Sequence, residues 1–322
     1  MEKLLFLDPK EIFYEGEWLF WKEEPSYEFI ESIKKIGLIF PVVVCKEQDK
    51  YVLICGYKRL KACILLKQKV KAILIPPQDL LTKGQIYFYS NIFHPISSGK
   101  LIRPLRFFKK HMNEREFHDF LDNLKNLLDP RTVYNLDICT KLPTNWDELF
   151  EQDVINVEMG ELLIKFDLKE LDLIKPLFDN LKWSFSNAKR LLRYLLEIKK
   201  ITKESLKEIL DEVQVFSIIE KDLNPKDKIS RILDNLKKMR FPILSEVEKE
   251  FKELKRDLEK NTLWRVDVDK GFESDRINLT ISINSMDQLK EASIQLNNII
   301  EGPFFEKIKK WQDEKLNLKE KS

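Results

Sequence analysis

The junction between an apolar run and a basic one at Gly56 constrains this chain more than any other feature. Tyr51-Val52-Leu53-Ile54-Cys55 ends at Gly56, and Tyr57-Lys58-Arg59-Leu60-Lys61-Ala62 follows. Upstream, Gly37-Leu38-Ile39-Phe40-Pro41 leads into Val42-Val43-Val44, with the polar residues 46–50 between the two apolar runs. The pattern predicts helix, strand, turn, strand, glycine and helix. Gly37 stops the first helix by taking a positive φ, and Gly56 turns the chain sharply into the second. A strand–glycine–helix junction leaves backbone amides free at the helix start, beside Lys58, Arg59 and Lys61. That combination suits an anion, and a phosphate of a nucleotide or a nucleic acid is the natural one.

Composition narrows the class. The 322 residues are enough for two or three domains, and eight glycines among abundant Lys, Glu, Leu and Ile favour helices. A formal net charge of +2 means that any nucleic-acid partner must meet a local basic face. Cys45, Cys55, Cys63 and Cys139 lack metal-type spacing and read as buried free thiols of a reducing compartment. The first nine residues are too short an apolar run for a signal peptide, and no stretch approaches a membrane span, so a cytoplasmic protein without a membrane partner is expected.

Along the chain, residues 1–96 alternate strands and helices. Helix 27–36 carries Phe29, Ile30, Ile33 and Ile36 on one face, a strand covers 69–75, and a helix runs from 79 to 91. Residues 97–238 read as helical throughout. Lys100, Arg103, Arg106, Lys109, Lys110 and Arg115 form a basic stretch, 116–128 is amphipathic, and Asp129-Pro130 caps a helix over 131–141. Helix, break, helix on this scale is compatible with a helix-turn-helix. Lys189, Arg190 and Arg193 lie on a further basic helix. Residues 239–316 read as α-β-β-α: a charged helix 244–260, strands 263–268 and 277–283 around a Lys270-Gly271 turn, and a helix 286–300. Such a unit suits a two-fold dimer.

In this order the motifs resemble those of the ParB-type chromosome or plasmid partition family. Gly37 to Pro41 is similar to the family's G-I-x-Q-P, with Phe40 at the glutamine. Gly56 to Ala62 is similar to G-E-R-R-x-R-A, and Ser90-Asn91-Ile92-Phe93-His94 falls on E-N-x-x-R. Arg131 to Leu136, with Leu142-Pro143, resembles the recognition helix and its terminating Leu-Pro. The stretches 156–163 and 185–195 resemble the helices that follow. The resemblance implies an α+β multidomain protein with three parts. These are a ParB/sulfiredoxin-like nucleotide-binding domain (1–96), a helical DNA-binding domain (97–238) and a dimerisation domain (239–316). It implies CTP, with Mg²⁺, held through Gly37, Pro41, Gly56, Lys58, Arg59, Lys61 and Asn91. It implies double-stranded DNA contacted through Arg131, Thr132, Tyr134 and Asn135, with Lys109, Lys110, Lys189, Arg190 and Arg193 on phosphates. A homodimer, a Walker-type partition ATPase as partner and a nucleoid-associated location complete the set. At most a weak CTPase is implied, because Ser90 replaces the metal-placing glutamate and His94 the arginine.

Other readings stand beside these. Lys58, Arg59 and Lys61 also fit a solvated helix face, Asn91 a helix end, and the 131–135 side chains an ordinary surface. Asp137 on the recognition helix repels phosphate unless it reads a cytosine amine. His111, Glu114 and His118 fall at helical spacing, but one metal does not span two imidazoles about 10 Å apart. Trp18, Phe20 and Trp21 read as core or interface. The competing functions are a DNA-binding transcriptional regulator with a decayed nucleotide site, and a phosphotransferase or nuclease of the same N-terminal fold.

Overall fold

The computed structural model describes residues 3–94, 96–268, 276–302 and 306, and two compact units, 1–192 and 193–322, divide the chain. The architecture is mixed α+β. The first unit opens with β1 (Lys3–Leu7) and β2 (Ile12–Phe13), followed by α1 (Tyr27–Ile36), β3 (Val42–Glu47), β4 (Lys50–Cys55), α2 (Tyr57–Leu65), β5 (Val70–Ile75) and α3 (Leu80–Asn91). The five strands form one mixed sheet in the order β1-β5-β3-β4-β2. The β3–β4 hairpin is antiparallel, with Val44 opposite Leu53 and Glu47 opposite Lys50. β3 and β5 pair in parallel across the α2 crossover. Val42, Val44, Leu53, Ile54, Leu60 and Val70 make the interior.

Helix starts are written in the sequence. Ser26 caps α1, Asp79 caps α3, and Gly37 at φ +76° ends α1 by returning its N–H to the Ile33 carbonyl at 2.8 Å. The expected apolar face of α1 is only partly covered: Ile33 is buried, whereas Phe29 and Ile36 are exposed.

The helices of the same unit are α4 (Ile102–His111), α5 (Glu114–Leu124), α6 (Pro130–Cys139), α7 (Asp147–Glu151), α8 (Gly160–Leu163), α9 (Leu168–Asn180) and α10 (Phe185–Thr202), which contains the unit boundary. Met112 is extended and Asn113 closes a capping box with Glu116, so α4 and α5 are separate helices. His111 therefore sits on a different helix from Glu114 and His118, where one continuous helix was expected. The Asp129-Pro130 start of α6 is as expected, with Asp129 accepting from the Thr132 N–H at 3.0 Å.

A seam of aromatic rings joins the sheet half to the helical half. Phe20 meets Tyr87 on α3 and Phe107 and Phe108 on α4, with centroids 5.1–5.8 Å apart. Phe88 and Phe108 each meet Phe120 of α5. Trp18 and Phe20 are buried, as a core reading of these aromatics requires.

Arg106 on α4 holds the far end of α6. Its guanidinium donates to the carbonyls of Cys139 (3.2 Å), Thr140 (2.7 Å) and Leu142 (2.7 Å), and to Asp147 Oδ1 from two nitrogens. These carbonyls lie at and just beyond the end of α6, where intrahelical donors run out; that of Cys139 also accepts from the Leu142 N–H at 3.1 Å. Burial pushes the Asp147 carboxyl up, and Arg106 opposes that shift. All four cysteines are free and buried, as expected, and burial pushes the Cys139 thiol up to about 12.

The second unit contains α11 (Leu206–Glu212), α12 (Val215–Glu220), α13 (Pro225–Arg240), α14 (Pro242–Asn261), β6 (Arg265–Val268), β7 (Ile277–Thr280) and α15 (Met286–Glu301). The α14–β6–β7–α15 order is the α-β-β-α pattern read from the sequence; the Lys270-Gly271 turn lies outside the described residues. Phe251, Leu258, Val266 and Ile299 form its small core. Leu279, Ile283, Met286, Leu289, Ile294 and Ile300 stay exposed.

Replacing Arg106 by Met leaves the Asp147 charge and the α6 carbonyls buried without their partner. The variant is expected to lose about 3–5 kcal/mol in urea unfolding, and adding Asp147→Asn is expected to recover part of that loss.

Candidate nucleotide site and nucleic-acid interface

The hairpin delivers the chain to Gly56, which caps α2 at φ +104°, ψ 32° with no side chain to accept from the first helical amides. A Cβ there would lie 2.9 Å from Val42 Cγ1 and 3.2 Å from the Arg59 guanidinium carbon, so only glycine keeps this approach open. Arg59 reaches back from α2 and donates to the Pro41 carbonyl at 2.6 Å and the Phe40 carbonyl at 3.4 Å. One side chain thus ties the 37–41 segment to the start of α2. Cys55, one residue before Gly56, receives a second contact through its sulfur, at 3.6 Å from Asn91 Nδ2. Asn91 also donates to the Tyr87 carbonyl at 2.6 Å. Pro41, Gly56, Arg59 and Asn91, expected together, do converge, and Gly37 stands at the other end of the same segment.

The lysines have carboxylate partners that sequence reasoning missed. Lys58 lies 2.5 Å from Glu23, which also bridges to Lys100 at 2.5 Å, and Lys61 lies 3.1 Å from Glu24. Hydrogen bonds from Lys100 and Lys58 hold the Glu23 carboxyl below the usual range, and Glu24 pushes the Lys61 ammonium up. Tyr57 is buried against Tyr14, with Lys61 over both rings. It is a packing residue at the position of the family's glutamate.

Free helix-start amides, a Cβ-free cradle and flanking cations fit a polyphosphate. They do not fit a protein-held metal: Ser90 and His94 are exposed, and among the described residues no group of three or more His, Cys, Asp or Glu side chains is arranged for one.

The basic stretch that opens the helical half is largely paired with carboxylates of the same unit. Lys100 pairs with Glu23, Arg103 with Glu151, Arg106 with Asp147, Lys109 with Asp137 at 3.2 Å and Lys110 with Glu17 at 3.0 Å. Lys109 at 3.2 Å and Lys141 at 3.9 Å flank the Asp137 carboxylate and offset its charge.

On α6, Arg131 and Tyr134 are exposed, Tyr134 by 57%, and Thr132 is half-buried. Asn135, expected beside them, is 2% exposed, so it does not share their surface. The reason is that α6 is covered on two sides, by α4 and by α8. Gly160 sits so close to Cys139 that a Cβ there would meet its sulfur at 2.7 Å. Arg190 and Arg193 are exposed three residues apart on α10, and Lys189 lies over the Phe185 ring.

Residues 19–92 match the family model of the ParB N-terminal domain. The chain is also 25% identical over 196 residues to the probable chromosome-partitioning protein ParB of Campylobacter jejuni, covering 60% of this chain and 67% of that one. Over residues 19–92 the chain is similar to the N-terminal domain of ParB-type proteins. Two solved structures also overlap it. One is the C-terminally truncated ParB of Caulobacter crescentus complexed with CTP-gamma-S, at 13% identity, TM-score 0.25, and 54% and 98% coverage of this chain and that one. The other is a Pnob8-like ParB-N domain, at 14% identity, TM-score 0.37, and 79% and 97% coverage. Scores this low carry no argument about the present fold.

Gly56→Ala forces a positive φ on a β-carbon and drives it against Val42. A loss of roughly 1–3 kcal/mol in urea unfolding is expected.

Proposed function

We propose that this chain is a CTP-responsive, site-specific DNA-binding protein serving chromosome or plasmid partition or nucleoid organisation. The observation that carries the reading is the Gly56 cradle with Arg59 bridging to Pro41, inside the segment that matches the ParB N-terminal domain. In this reading the triphosphate lies against the α2 amides, with Gly56, Lys58, Arg59 and Lys61 as its holders and Asn91 at the edge of the site. Mg²⁺ arrives with the phosphates, since position 90 offers no carboxylate.

Residues 1–96 then serve as the nucleotide domain, 97–238 as the DNA-binding domain and 239–316 as the dimerisation domain. DNA is read through α6, with Arg131, Thr132 and Tyr134 toward the duplex and Lys189, Arg190 and Arg193 on phosphates. Lys109 and Lys110 contribute less, because each is held by a carboxylate. The exposed apolar residues of the α-β-β-α unit support a homodimer through that unit. A cytoplasmic, nucleoid-associated protein working with a Walker-type ATPase completes the proposal; no helix among the described residues is long and apolar enough to cross a membrane.

A second reading, a DNA-binding regulator whose nucleotide site has decayed, is favoured by the pairing of Lys58 and Lys61 with Glu23 and Glu24. Calorimetric titration of CTP, ATP and GTP with Mg²⁺ separates the two. CTP-selective binding that is lost in Arg59→Ala supports the first reading, and no binding of any nucleotide to folded protein supports the second. For the DNA interface, Arg190→Ala is expected to weaken binding uniformly across sequences. It is also expected to reduce the slope of log affinity against log salt by about 1.

A further inference from the structure

The carboxylate of Glu23 stands between two ammonium groups that come from different parts of the first unit. Lys58 belongs to the first turn of α2, and Lys100 lies in the turn just before α4. Each approaches a different oxygen of Glu23, Oε2 and Oε1, at 2.5 Å. A bidentate anion held by two cations beside a helix start is the arrangement a phosphate adopts in such a place. Glu23 and Lys100 also line an open cleft of about 620 Å³, together with Trp21, Arg103 and Glu151, so the bridge is accessible to a solute. The segment that carries Glu23 is anchored independently of the carboxylate. The Trp21 indole N–H donates to the Lys100 carbonyl at 2.9 Å, and the Tyr87 hydroxyl donates to the Trp21 carbonyl at 2.9 Å. The carboxylate is therefore able to leave its lysines without unseating the backbone.

We infer that Glu23 is an internal stand-in for a phosphate: it fills the anion position between Lys58 and Lys100, and an incoming polyphosphate displaces it. The inference rests on the proposed polyphosphate site at α2 and adds how that site is kept closed when empty. Displacement frees Lys100 from Glu23 at the entrance to α4, the helix whose Arg106 grips the end of α6. Hydrogen bonds from Lys100 and Lys58 hold the Glu23 carboxyl below its usual range, so it is ionised at neutral pH. The exchange is therefore driven by a competing anion and not by protonation near neutral pH.

The test uses inorganic tripolyphosphate as well as CTP, titrated calorimetrically into the full chain. Glu23→Gln keeps the shape and removes the charge. It is expected to bind tripolyphosphate about five- to tenfold more tightly than the parent. Adding Lys58→Ala is expected to abolish that gain. Equal or weaker tripolyphosphate binding by a folded Glu23→Gln protein overturns the inference and makes Glu23 a structural staple. Should that variant not fold, Glu23→Asp, one methylene shorter, is expected to give a smaller gain in the same direction, and its absence is equally decisive. A gain for tripolyphosphate with no CTP binding to either protein upholds the stand-in and sinks the CTP reading. CTP binding that Glu23→Gln leaves unchanged, with tripolyphosphate also unchanged, does the reverse.

Discussion

The guanidinium of Arg106 is the constraint on which the helical half depends. A helix ends with carbonyls that lack intrahelical partners, and at the end of α6 those carbonyls are buried. The side chain that serves them comes from α4, more than thirty residues earlier. Five donors in a rigid fork suit that task, whereas a lysine offers a single point of charge. Asp147 completes the arrangement by balancing the charge in a setting that disfavours its own ionisation. With α4, α6 and α7 fixed to one another in this way, the exposed side chains of α6 are presented from a rigid base.

The same logic extends along α4 and back into the sheet half. Of the six cations that look like a DNA-facing stripe in the sequence, Lys100, Arg103, Arg106, Lys109 and Lys110 each meet a carboxylate drawn from a distant segment. Long-range pairs of this kind fix geometry more than they add stability, since exposed ion pairs contribute little individually. They also leave few cations for a polyanion on this face, which is consistent with a chain whose charges nearly cancel.

The local signals in the sequence were informative. Apolar runs, glycines and caps place β3, β4, α2, α3, α6 and the α-β-β-α order within a few residues, because each depends on neighbours in the chain. Pro41, Gly56, Arg59 and Asn91 were likewise legible through their motifs. What was not legible depends on contacts between remote positions. β1 is a short run whose strand character comes from pairing with β5, nearly seventy residues on. Glu23 and Glu24 gave no hint of their lysines, and Arg106 gave none of its carbonyls. Asn135 looked like a surface reader because nothing in α6 itself reveals that α8 covers that side.

The aromatic seam has an implication for how such a chain is inherited. Phe20 and Phe88 share one interior with Phe107, Phe108 and Phe120, so the packing runs without a break from the sheet half into the helical half. A sheet half lifted out by recombination would carry an open hydrophobic wound, and a foreign helical half would have to match its rings one by one. In this chain the sheet half and the helical half are not interchangeable cassettes but a single packed piece.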